Sequence, residues 1–143
     1  MIYVGIDTGV HTGYAVYDSR IKQLTAVGTD KIHNVMQLVS GLKDVAEGKG
    51  DAIRVRVEDA RKRTWYGFNT AAKDRARLQG AGSVKRDAQI WEDFLTDLGV
   101  DFEMVAPKNN ATKLTAESFR QLTGWVGKTN EHGRDAAMLV YGY

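Results

Sequence analysis

A chain of 143 residues, 43% of them hydrophobic, has room for one domain with a layered core and not for two full lobes. The net charge of +2 gives no overall bias, so affinity for nucleic acid has to come from where the charge lies. With zero cysteines there are no disulfides and no thiolate metal site. No apolar run reaches spanning length and the first residues lack an export-signal layout, so a cytoplasmic protein away from the membrane is expected.

Ile2, Val4 and Ile6 alternate with Tyr3, Gly5 and Asp7, as in a strand with two differently lined faces, and Asp7 falls at its carboxyl end. Thr8, Gly9, Thr12 and Gly13 predict a tight connection into a second strand over Tyr14 to Tyr17. Asp18-Ser19 turns that strand into a third over roughly Lys22 to Gly28, giving an antiparallel meander with an acid at its first turn. An isolated Asp-x-Gly is also an ordinary turn-capping arrangement, so Asp7 needs partners before it implies chemistry. From Asp30 to Ala46, Ile32, Val35, Met36, Val39, Leu42 and Val45 recur at helical spacing behind Asp30 as N-cap. Glu47 to Asp51 breaks that helix. Ile53, Val55 and Val57, alternating with Arg54, Arg56 and Glu58, then predict a fourth strand with a second acid at its end.

Behind Glu58 the charge becomes one-sided. Arg61, Lys62, Arg63, Lys73, Arg75 and Arg77 are opposed between positions 61 and 77 by Asp74 alone, with Trp65, Tyr66 and Phe68 among them. Basic groups interleaved with aromatics suit a phosphate backbone plus stacking on bases. A solvated loop with a few anchoring aromatics has the same composition, and the position directly after Glu58 favours the nucleic-acid reading.

Gly80-Ala81-Gly82 marks a second break, before a helix from Ser83 to Leu98 with Val84, Ala88, Trp91, Phe94, Leu95 and Leu98 on its apolar face. Gly99 ends it, and Asp101 to Ala106 predicts a fifth strand stopped by Pro107. The segment Lys108 to Lys113 offers amides, a hydroxyl and two ammonium groups without an acid, which suits phosphate and also suits an ordinary polar loop. A short helix is predicted over Leu114 to Leu122 and a last one from about Asn130. There His132 and Asp135 stand three apart on one face, and the small Ala136 and Ala137 let the helix lie close to the sheet. A surface His–Asp pair is the plain alternative. Met138, Leu139 and Val140 argue against it by turning the helix inward.

Taken in order, Gly5-Ile6-Asp7-Thr8-Gly9 with Thr12-Gly13, Val57-Glu58, Ala106-Pro107, and His132-x-x-Asp135-Ala136 resemble the RuvC-type Holliday junction resolvases of the ribonuclease H-like superfamily. The resemblance covers essentially the whole chain, whose small size is similar to that of resolvases encoded by bacteriophages or prophages. It implies an α/β fold with a five-stranded mixed sheet, the first three strands antiparallel and helices on both faces. It also implies a metal site of Asp7, Glu58, His132 and Asp135. His132 stands where many bacterial resolvases have aspartate and some other RuvC-like nucleases have histidine.

Such donors suit Mg²⁺ or Mn²⁺, two ions about 4 Å apart, with Asp7 bridging, Glu58 on one ion, and Asp135 and His132 on the other. His132 alternatively orients the attacking water, and Lys108 or Lys113 neutralises charge on the phosphate. The implied enzyme is a homodimeric endodeoxyribonuclease that makes paired cuts in branched DNA, leaving 5′-phosphates, with the helix from Ser83 to Leu98 as candidate interface. Other readings are a ribonuclease H-like nuclease for forks, flaps or RNA–DNA hybrids, and a catalytically inactive nucleic-acid-binding relative. An actin-like or sugar-kinase ATPase lobe shares the Gly-x-Asp-x-Gly opening but needs a second lobe, so no nucleotide cofactor is expected.

Overall fold

The computed structural model describes residues 1–62, 71–107 and 113–143, and within that span the description excludes the side chains of 71–81 and 84. Strands β1 (Ile2–Asp7), β2 (His11–Asp18) and β3 (Gln23–Lys31) form an antiparallel meander. Helix α1 (Ile32–Gly48) leads into β4 (Ile53–Glu58), which pairs parallel with β1. A 3₁₀ turn (Ala60–Lys62) follows, and α2 (Ala71–Leu98) leads into β5 (Asp101–Val105), parallel with β4. Helices α3 (Ala116–Thr123) and α4 (Glu131–Met138) come last. The sheet order β3-β2-β1-β4-β5 puts β1, with Asp7 at its end, in the centre.

Strand alternation decides which helices pack where. Val4, Ile6, Val55 and Val57 point to one face, where Val35 and Val39 of α1 and Trp91 and Leu95 of α2 close a dry core. The opposite face carries Ala15 and Tyr17, covered by Phe119 of α3, Ala136 and Ala137 of α4, and Val140. Ala88, Trp91 and Leu95 of α2 are fully buried, so these apolar side chains are spent on the chain's own sheet. Among the described residues no helix is long and apolar enough to cross a membrane.

Several boundaries differ from the sequence reading. Strand β2 starts at His11 and β3 runs on to Lys31, because cross-strand pairing (His11↔Lys31, Thr12↔Asp30, Gly13↔Thr29) draws residues that look like turn and helix start into the ladder. Asp30 is therefore the residue before the N-cap, Lys31; its carboxylate accepts from the Lys31 amide and the Asn34 side chain. The break at Gly80-Ala81-Gly82 is absent, and α2 runs straight through it. Glycine in a helix costs only about 1 kcal/mol against alanine. The firmly packed end of α2, with Ala88, Trp91 and Leu95 all buried, outweighs that penalty.

Candidate active site

Asp7 and Gly13 are cross-strand partners, and so are Gly5 and Ala15. A Cβ on Gly13 would overlap the backbone carbonyl of His132, and one on Gly5 would overlap that of Ala136. Helix α4 thus lies directly on the sheet backbone, over two positions where only glycine leaves room. This contact sets His132 beside Asp7, with Nδ1 3.0 Å from Asp7 Oδ2. The start of α4 is fixed from two sides: Asn130 Oδ1 accepts from the Gly133 amide at 2.9 Å and from Thr29 Oγ1 of β3 at 2.6 Å.

Glu58 arrives by strand register. The parallel pair Ile6↔Val57 is followed by Asp7 and Glu58 at neighbouring strand ends, both pointing away from the face that Ile6 and Val57 fill. Thr8 Oγ1 donates to the Glu58 carbonyl at 3.3 Å and ties the two ends together. Asp135, one turn along α4 from His132, ion-pairs with Lys113 Nζ at 3.5 Å, and Lys113 also contacts Glu131.

The electrostatics of Asp7 follow from this setting. Burial pushes its carboxyl above the usual carboxylate range, the His132 hydrogen bond opposes the shift, and the nearby Asp135 charge adds to it. An ionised carboxylate only accepts, so with Asp7 ionised His132 donates from Nδ1, and in the neutral ring that leaves the lone pair on Nε2, on a half-exposed ring. The Glu131 hydrogen bond raises the Lys113 ammonium above its ordinary value, and Lys113 in turn lowers Glu131.

The donor chemistry suits a hard divalent cation: carboxylate oxygens with one imidazole, at a place that already attracts the Lys113 ammonium. The closed four-donor cluster expected from sequence is not formed. Among the described residues no group of three or more His, Cys, Asp or Glu side chains is arranged to hold a metal ion. The donors have separate partners instead, Asp7 with His132 and Asp135 with Lys113.

The basic strip divides in two. Arg61 Nε and Nη2 donate to Asp59 at 2.8 Å each, Nη1 to Gln89 at 2.8 Å, and Nη2 also to Glu92 at 2.6 Å. Those hydrogen bonds, Asp59 first, hold its guanidinium above an already high ordinary value. Lys62 Nζ donates to the Met104 carbonyl at 2.7 Å. Arg61 thereby joins the end of β4 to α2, and the exposed Lys62 reaches β5. Arg63, Trp65, Tyr66, Phe68 and Lys108 lie outside the described residues, as do the side chains of Lys73, Arg75 and Arg77 on α2.

Four further residues take part in this arrangement. Glu131 was passed over, although its spacing of four from Asp135 puts both on one helical face. Asp59 was hidden behind its neighbour Glu58. Gly13 falls in the expected turn and Gly5 in the expected strand, and glycine in a strand also marks a close backbone approach.

No protein-family model matches the chain, and neither does any curated sequence. The class is defined by architecture: the mixed sheet with a central acid-bearing strand and helices on both faces resembles the broad ribonuclease H-like superfamily, whose members are often enzymes.

Proposed function

We propose that the chain is a metal-dependent, structure-selective endodeoxyribonuclease that resolves four-way DNA junctions in recombination and repair. The observation that carries this reading is the Asp7–His132 contact at the end of the central strand, with Glu58 on the neighbouring strand end and Asp135 on the same helix as His132. Asp7, Glu58 and Asp135 would hold Mg²⁺ or Mn²⁺, which supplies water activation and charge stabilisation at the phosphate.

The chain's own part is orientation and proton handling. Asp7 holds the His132 ring in the tautomer that leaves Nε2 as acceptor, and Nε2 either completes the donor set or takes the proton of the attacking water. A pH–rate profile at saturating metal separates the two roles, since only proton transfer gives a limb that disappears when His132 is replaced. Grip on DNA would fall to Arg61, Lys62, Arg63, Trp65, Tyr66, Phe68, Lys73, Arg75 and Arg77, with Lys108 and Lys113 at the phosphate. Paired cuts on opposed strands call for a homodimer with twofold symmetry.

The test is cleavage of a four-way junction against linear duplex of the same sequence, with Mg²⁺ or Mn²⁺. Paired nicks confined to the junction are expected. Equal cutting of forks, flaps or RNA–DNA hybrid would assign a different nuclease of this superfamily, and junction binding without cleavage would assign a non-catalytic binding protein.

A further inference from the structure

Lys113 is the one ammonium in contact with the candidate site among the described residues. It reaches two acids of α4 at once, Glu131 and Asp135, which lie four residues apart and so one above the other on the helix. Its approach is set by the backbone beside it. Arg134, on the same helix, donates from Nε to the Leu114 carbonyl at 2.9 Å and from Nη1 to the Thr129 carbonyl and hydroxyl at 3.0 Å. The strand of chain carrying Lys113 is thereby pinned against α4, and the charge it delivers is a cation at the place where a divalent ion would have to meet Asp135.

We propose that the Lys113 ammonium is the resident counter-ion of Asp135 and competes with a divalent cation for it, so that loading the site and releasing Lys113 are one exchange. The inference rests on the nuclease reading for the nature of the site and adds how the site is controlled. Two features make the exchange feasible. The Lys113 side chain is 62% exposed, so its ion pairs are weakly held and water accepts it readily on release. Asp135 is only 25% exposed, so two cations sharing its small carboxylate repel each other with little screening. Once displaced, Lys113 remains tethered near the site through Leu114 and becomes available to a phosphate oxygen, a partner the acids previously denied it.

The experiment measures Mn²⁺ binding to the protein without DNA, from loss of the free-ion paramagnetic resonance signal at fixed ionic strength. Wild type, Lys113→Met, Asp7→Asn and the double variant are compared. Lys113→Met is expected to tighten the Asp7-dependent site about three- to tenfold, the scale of removing one exposed competing charge. By reciprocity, amine-reactive labelling of Lys113, read by mass spectrometry, should speed up as Mn²⁺ is added to wild type. Unchanged or weaker Mn²⁺ binding in Lys113→Met, with the Asp7-dependent site intact, would overturn the exchange and leave the nuclease reading standing. Absence of any Asp7-dependent binding in wild type and in Lys113→Met alike would remove both.

Discussion

Asp7 and Asp59 are both buried acids at the end of a sheet strand, at 9% and 1% exposure, yet their surroundings drive them in opposite directions. Asp59 takes the Arg61 amide and two side-chain donors of the same residue, and the Arg61 hydrogen bonds hold its carboxyl below the ordinary range. Asp7 has an imidazole for partner and a second acid nearby, and burial raises it. One carboxylate is satisfied within the fold and stabilises it. The other is kept in a setting that suits its neutral form, which the fold tolerates for the sake of the site.

The sharpest way to exploit that contrast is Asp7→Asn. Cleavage of a junction should fall about a thousandfold or more, since a charged group at the reacting centre is lost. Stability should move the other way. A carboxyl whose folded value lies above its unfolded one favours the folded state only while protonated, and that contribution is lost as pH rises from 3.8 through the folded value. At neutral pH the asparagine variant is therefore expected to melt higher than wild type, with the gap closing in acid. A lower melting temperature at neutral pH would mean that the His132 hydrogen bond outweighs burial.

Gly13→Ala attacks the same site through its floor. The new methyl meets the His132 carbonyl, and α4 has to lift, at a cost of about 2–3 kcal/mol in urea unfolding. The Asp7–His132 contact should be lost with it, visible as a shift of the His132 ring resonances.

Asp59→Asn is the mirror of Asp7→Asn and should destabilise by about 2 kcal/mol, less than a fully buried pair because Arg61 is partly exposed and keeps Glu92. Here the folded pKa is the depressed one, so the stabilisation is fully present above 3.8 and is lost as pH falls through the folded value. Melting curves of the two proteins should converge in strong acid. Smallest of all, Gly82→Ala adds a methyl where nothing lies within 4 Å, and should stabilise by about 0.5–1 kcal/mol without touching either acid.

The strands and most of the helices were legible because period-two and helical alternation are local signals: Ile53, Val55 and Val57 declare their shared face without knowledge of a partner. The extra residues of β2 and β3 were not, since the bonds that recruit His11 to Gly13 and Thr29 to Lys31 come from across the ladder. The place of Asp7 at a strand end, and of His132 and Asp135 on one helix, was legible from alternation and helical spacing. The hydrogen bonds of Arg61 were not, because composition reports charge and says nothing of whether Asp59, Glu92 and Gln89 stand ready to receive it. The same limit hid the pairing of Lys113 with Glu131, which depends on how Arg134 pins the neighbouring loop.

The seat of α4 on Gly5 and Gly13 also governs timing. Asp7 and His132 are 125 positions apart in the chain, so the first residue of the site leaves the ribosome long before its partner. At 5–20 residues per second that interval is on the order of 6–25 s, during which the meander can form while its glycine floor stays bare. The Asp7–His132 contact is among the most non-local in the molecule and needs the last helix of the chain. A nascent or truncated chain that lacks this helix has the acids of β1 and β4 but neither His132 nor Asp135. The topology thereby withholds an assembled centre from every unfinished copy.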